Sequence, residues 1–214
     1  LSQTYTNIEV ILIDDGSTDN TPLICEKYKE SDSRVKVFHK QNEGLSWARN
    51  DALKVAQGEY ISFIDSDDQL SRSAFQVCID VIEKTGVDFV KYGRCIEKEN
   101  LCENPPGDYN VFSAKDFTKR VLTDEIGSQL WQYLFKTSLW KDIISPKGRL
   151  AQDMMTLHLA ISKAEKCAVI EDCLYYYFQT RTDNVSNGNS KSVRGTADRT
   201  FAFWLRYDFC NKNA

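Results

Sequence analysis

Asp65, Asp67 and Asp68 place three carboxylates within four positions, at the end of the apolar run in GEYISFIDSDD. Such groups repel one another, and each is costlier out of water, so the turn needs a cation, a donor-rich ligand or full solvation. Hard divalent ions answer that need economically. Mg2+ or Mn2+ is typically held by one or two protein carboxylates and completes its shell with water and phosphate oxygens. A second acidic turn repeats the grammar, because in NIEVILIDDGSTDN an apolar run again leads into Asp14, Asp15 and a glycine. If both runs are parallel strands of one sheet, both turns emerge at its carboxyl edge, where open α/β sheets bind ligands. The first turn then reads as half of a metal-diphosphate site, with the second facing the same crevice.

The elements that must carry these turns alternate. Strands are predicted at Ile8 to Ile13, Val35 to Phe38, Tyr60 to Ile64 and Val87 to Tyr92. Helices fill the gaps: Thr21 and Pro22 open one that runs to about Glu30, Leu45 to Ala56 forms a second, and Ser71 caps a third that Gly86 ends. This βαβαβαβ order predicts an α/β fold with a mostly parallel central sheet flanked by helices. After Tyr92 the rhythm changes. Ala114 to Leu122 and Asp153 to Lys163 read as helices; Leu130 to Phe135, Ala168 to Ile170 and Leu174 to Phe178 read as strands. The last segment, Thr196 to Asn211, puts Phe201, Trp204, Leu205 and Phe209 on one helical face with Arg199, Arg206 and Lys212 elsewhere. That pattern fits either packing onto the domain or peripheral contact with an anionic membrane.

The chain has 214 residues, 42% hydrophobic and 27% charged, which suits one compact unit with a well-buried core. A net charge of −4 offers nothing global to nucleic acid, so negative substrate charge must be met locally. No apolar run approaches the roughly 20 residues that span a bilayer, and no basic leader precedes an apolar core. The seven cysteines include no C-x-x-C pair and only two histidines could assist them, which argues against zinc and suits a reducing cytosol. The opening LSQTYTNIEV lacks methionine and reads as the tail of a helix, so the expectation is that an amino-terminal strand and helix are missing.

In order along the chain, LSQTYTNIEVILIDDGSTDNT, NEGLSWARNDAL, GEYISFIDSDDQL, SPKGRLAQDMM and CLYYYF resemble family 2 glycosyltransferases. These are inverting enzymes of the Rossmann-like GT-A fold that move a sugar from a nucleotide diphosphate to an acceptor hydroxyl. The resemblance implies that Asp15 contacts the nucleotide base and that Asp14, Gly16 and Ser17 shape its turn. Asp65 and Asp67, flanking Ser66, match the family's D-x-D pair, with Mg2+ or Mn2+ as cofactor, and Asp68 is spare. Arg49 would lie near donor phosphates or ribose, or else pair with an acidic turn. Asp153 would be the catalytic base; the family usually has Glu-Asp where this chain has Gln152-Asp153. The implied organisation is a nucleotide-sugar-binding half over 1–92, an acceptor-binding half over 93–190, and an amphipathic helix over 191–214. Implied partners are a nucleotide-diphosphate sugar and a saccharide or lipid-linked acceptor, in surface polysaccharide or glycolipid synthesis at the inner face of the membrane. The family's first strand helps hold the base, and its expected absence puts nucleotide binding at risk.

Trp131, Tyr133, Trp140 and Tyr175 to Tyr177 could stack on an acceptor sugar, although aromatics at such spacings more often serve a core. Two non-enzymatic readings stand beside the transferase. Asp15, Ser17, Asp19 and Glu26 fall on EF-hand positions one, three, five and twelve, but Asn20 replaces the glycine at six and a strand precedes the loop. A relative that binds a nucleotide sugar or a divalent cation without turnover is the other.

Overall fold

The computed structural model describes residues 1–179 and 192–213. Its elements run β1 (Val10–Asp14), α1 (Thr21–Ser31), β2 (Val35–His39), α2 (Leu45–Val55), β3 (Tyr60–Ile61), β4 (Gln69–Leu70), α3 (Ala74–Thr85) and β5 (Phe89–Cys95). They continue with β6 (Asn110–Ser113), α4 (Ala114–Leu122), β7 (Tyr133–Lys136), α5 (Gln152–Ile161), β8 (Lys166–Tyr176) and α6 (Val193–Lys212). The α/β architecture is as expected, with a mixed sheet. β1 and β2 pair in parallel as a separate ladder, while the larger sheet has the order β3-β7-β5-β8-β4 with β6 on the flank of β8. β5 and β8 are parallel; β3-β7, β5-β7, β4-β8 and β6-β8 are antiparallel.

The alternation of side chains explains why the sheet is covered on both faces. Phe89, Tyr133 and Phe135 point to a cluster with Phe117 of α4 and Leu157 and Ile161 of α5. Val90, Tyr92, Leu134 and Ile170 point the other way, against Ala74, Cys78 and Ile82 of α3. Several predicted boundaries shift, three of them in ways that change the strand pattern. The strand expected to reach Ile64 leaves its ladder after Ile61, because the chain crosses over the sheet to re-pair at Gln69 and Leu70 with the end of β8. Leu130–Gln132 is a short 3-10 turn before β7. The two strands predicted within 168–178 are one, β8, whose register against β5 shifts around Gly93.

The two acid-tipped strands are therefore not ladder neighbours; β1 pairs with β2 and β3 with β7. Three cysteines, Cys78, Cys95 and Cys167, are buried, and Cys210 is exposed. Among the described residues no helix is long and apolar enough to cross a membrane. The boundary expected at 190/191 lies outside the described residues.

Candidate active site

The first acidic turn closes on itself. Asp14 is buried at the end of β1; its Oδ1 accepts the Ser17 backbone N–H at 3.0 Å, and Oδ2 lies 2.8 Å from His39 Nδ1. Hydrogen bonds from Ser17 and His39 hold its carboxyl below the usual range. Gly16 sits at φ 76°, and an added Cβ would stand 2.7 Å from the Asn42 backbone nitrogen, so only glycine fits there. Asp15 turns outward to the next segment. Its two oxygens accept the backbone N–H groups of Glu43 at 3.0 Å and Gly44 at 2.7 Å, and Gly44 is the residue that opens α2. The residues expected around the nucleotide thus share one turn, and Asp15 ties that turn to the start of α2.

Arg49 stands one turn further along α2 and is 7% exposed. Its guanidinium donates through Nη1 to Asp153 Oδ1 and through Nη2 to Asp65 Oδ1 at 3.3 Å. The aromatic ring of Phe63 lies 5.7 Å from the guanidinium carbon. Burial alone would lower the pKa of Arg49, and the flanking carboxylates of Asp153 and Asp65 raise it beyond that cost. Of the two expected surroundings for Arg49, the structure shows the ion pair. It bridges the D-x-D turn to the residue expected to be the base, which lies 104 positions from Arg49 in sequence.

The second turn is held by the end of β8. Asp68, expected to be spare, accepts the Tyr175 hydroxyl at 2.6 Å and the Phe178 N–H at 2.8 Å; the Tyr175 oxygen in turn accepts the Asp65 N–H at 3.3 Å. Asp67 is half-buried and Ser66 exposed between these anchors. Burial pushes the Asp65 carboxyl up to about 6; Arg49 opposes the shift, and the charges of Asp153, Asp68 and Asp67 add to it. The folded chain therefore binds a proton at Asp65 that the unfolded chain has released, in the window from about pH 4 to about pH 6. Native stability falls through that window as pH rises. Asp65→Asn removes the effect, so its melting temperature should gain on the native protein between pH 4 and pH 6 and keep that advantage above. A melting-temperature difference flat from pH 4 to pH 7.5 would show that Asp65 ionises in the ordinary range.

Asp153 occupies the first turn of α5, where a carboxylate also suits the helix dipole. Its Oδ2 accepts the Leu130 backbone N–H at 3.2 Å, so each oxygen has a fixed donor. Ala151 before the helix takes φ 54°, a left-handed conformation unusual for alanine. Gln152 is buried, and its Oε1 has no hydrogen-bond partner among the described residues. Upstream, the amide of Asn50 on α2 accepts the Ser145 N–H and donates to the Ser145 carbonyl, both at 2.9 Å.

The sequence reading missed Asn50, the Leu130 N–H and the Tyr175 hydroxyl as parts of the site. Asn50 directly follows Arg49, but its partner Ser145 lies 95 positions away, so no local signal marked it. Trp131 does not offer a free face of the kind expected for acceptor stacking. It is 5% exposed and stacks on Tyr175 and Tyr177 with ring centroids 4.5 Å and 5.4 Å away, with Arg94 over it at 5.7 Å. Tyr133 and Trp140 are core residues. Glu26, the twelfth position of the EF-hand reading, pairs instead with Lys29 and His39. Among the described residues no group of three or more His, Cys, Asp or Glu side chains forms a ready-made metal cage.

Comparison with known proteins identifies relatives of this chain. GlyG, a glycosyltransferase of Streptococcus pneumoniae, is 32% identical over 195 residues, which cover 83% of this chain and 63% of GlyG. The chain thus spans less than two thirds of that relative. The crystal structure of S. aureus TarS 1-349 in complex with UDP-GlcNAc superposes with a TM-score of 0.72 at 24% identity, over 87% of this chain and 54% of that one. A mannosyltransferase from Pyrobaculum calidifontis, in complex with GDP-Man and Mn2+, gives 0.64 at 16% identity over 100% and 58%. Both likenesses establish the shared GT-A architecture. The profile described as "Glycosyl transferase family 2" matches residues 1–132, a span that holds both acidic turns, Arg49 and the Leu130 N–H, and the chain belongs to that family.

Proposed function

We propose that this chain carries the donor site and the catalytic base of an inverting glycosyltransferase, which moves a sugar from a nucleotide diphosphate to an acceptor hydroxyl. The observation that carries the reading is the Asp65–Arg49–Asp153 bridge, which brings a D-x-D turn and a carboxylate at a helix start into one cluster. The names and bound ligands of the relatives support it. GlyG is a glycosyltransferase, TarS was captured with UDP-GlcNAc, and the Pyrobaculum enzyme with GDP-Man and Mn2+.

Asp153 has the features of a general base. Arg49 and the Leu130 N–H fix its direction, while each oxygen keeps a lone pair for an incoming hydroxyl. Proton transfer from the acceptor oxygen to Asp153 accompanies formation of the new glycosidic bond on the sugar face opposite the departing diphosphate. Asp67 with Asp65 would hold a divalent ion. The fit is physical: burial raises Asp65 to about 6 and the neighbouring carboxylates of Asp153, Asp68 and Asp67 add to that shift, a crowding of negative charge that a cation relieves, and hard ions use few protein ligands. When bound, Mg2+ or Mn2+ supplies Lewis-acid neutralisation of the leaving diphosphate. The acceptor side of this reading is a saccharide or lipid-linked saccharide in polysaccharide or glycolipid synthesis. Exposed Phe203, Trp204 and Tyr207 give α6 a face for peripheral lipid contact at the inner side of a membrane.

A thermal-shift screen of UDP- and GDP-sugars, each with Mn2+, with Mg2+ or with EDTA, tests the proposal. A cognate donor at a hundred times its Kd adds about 2.7 kcal/mol, a rise of several degrees, and EDTA should cancel it. Release of nucleotide by the same donor identifies the transferase. Binding without release, even with acceptor extracts, would favour the passive module, and no shift with any donor and metal would sink both.

A further inference from the structure

The side of α6 that faces the domain is polar. Asp198 and Arg206, each 2% exposed, are buried there beside Gly195 and Ala202, while Trp204 is 56% and Tyr207 65% exposed. The sequence pattern left two readings, the apolar face packed on the domain or turned to a membrane, and neither foresaw that this acid and base would be buried. Burying an acid and a base is costly unless both are fully paired, so what they bind matters. Asp198 Oδ2 accepts the Leu150 backbone N–H at 2.9 Å, and Oδ1 accepts Arg149 Nη1 at 2.7 Å. Leu150 immediately precedes Ala151, the residue held at φ 54°, and Gln152 and Asp153 follow. Arg206 Nε donates to the carbonyl of Met154 at 3.2 Å, the residue just after Asp153. Its Nη2 donates to Ser128 Oγ and its Nη1 to Asp124 Oδ1 at 3.4 Å, in the loop that two residues later delivers the Leu130 N–H to Asp153.

From this geometry we infer that Asp198 and Arg206 are positioning residues, which clamp the chain on either side of Asp153 and so hold its carboxylate in line for proton transfer. The inference rests on the reading of Asp153 as the base. The two side chains lie eight positions apart on one helix, about 12 Å along its axis. That spacing lets one rigid element grip the segment before the base, the carbonyl after it and the loop that supplies its N–H donor. Asp198 secures the residue next to a left-handed alanine, a conformation that the surroundings must enforce. Arg206 joins two segments through one planar fork, which a lysine could not reproduce.

The test compares Asp198→Ala and Arg206→Met with the native chain in two measurements. The first is release of nucleotide from UDP-GlcNAc and from GDP-mannose with Mn2+. The second is amide hydrogen exchange over residues 126–156. A misplaced base lowers kcat on the order of 10- to 100-fold, with the donor KM within about threefold of native. The Leu150 amide in Asp198→Ala and the Leu130 amide in Arg206→Met should exchange at least about tenfold faster. Adding Ala151→Gly to Asp198→Ala should restore part of both losses, because glycine takes the left-handed turn unaided. Arg206→Lys keeps the buried charge, serves if the methionine variant does not fold, and should lose kcat with unchanged donor KM. Native exchange at Leu130 and Leu150 in the variants overturns the inference, as does a kcat loss that Ala151→Gly leaves untouched. If the native chain releases no nucleotide from any donor, the functional reading fails by itself. The exchange data then decide the clamp alone, quickened amides supporting it and native amides ending it.

Discussion

Asp153→Asn should leave donor affinity within about threefold of native while turnover falls on the order of 10²- to 10⁴-fold, the usual worth of a general base. The asparagine side chain keeps the shape of the original and loses its charge and one acceptor. With its oxygen turned to Arg49, its NH2 faces the Leu130 N–H, donor against donor; turned the other way, it meets the guanidinium. Either orientation leaves one buried donor unpaired, at a cost of about 1–3 kcal/mol. The variant should therefore melt a few degrees lower and still bind donor, because no donor-side contact depends on proton transfer. Titration of nucleotide sugar by calorimetry, alongside initial rates, separates the two effects. Turnover within twofold of native would remove Asp153 from the mechanism and shift attention to another acceptor of the proton.

The second large effect concerns Arg49. Arg49→Met keeps the volume and removes the charge that two carboxylates share. Breaking a buried pair by deleting one partner typically costs about 3–5 kcal/mol. Asp65 and Asp153 are partly open to water, so about 3 kcal/mol is expected, and a fall in Tm on the order of 10 °C. The loss should shrink as pH drops, because protonation of Asp65, which is already easy at about 6, removes the repulsion that the methionine exposes. Arg49→Lys should recover only part, since an ammonium cannot span both carboxylates as a planar fork does. Melting curves of the three proteins at pH 5 and pH 8 check this; equal losses at both pH values would show that Arg49 acts through packing rather than charge.

Much of this arrangement was readable from sequence because its parts are local. Apolar runs ending in acids marked the β1 and β3 turns, and Pro22 and Gly86 marked helix ends. Asp153 was found through its place at a helix start and through the resemblance. The strand pairings were not readable. Nothing local to Tyr60–Ile64 tells the chain to leave its ladder after two residues; β8, far along the chain, provides the edge that re-pairs Gln69 and Leu70. The polar side of α6 was hidden for a similar reason. Asp198 and Arg206 look like surface charges until the backbone of 128–154 is placed beside them. Trp131 follows the reading that aromatics at such spacings more often serve a core, since it already has ring partners within its own domain.

The bridge through Arg49 also makes helical phase a determinant of whether this scaffold works. Asp15 fixes where α2 begins, at Gly44, and the guanidinium finds Asp65 and Asp153 only because five residues of helix rotate it to that bearing. Inserting or deleting one residue in that stretch would turn the cation by about 100° around the helix axis and aim it away from both acids. Recombination between relatives should accordingly tolerate junctions in α1 or α3 far better than length changes between Gly44 and Arg49.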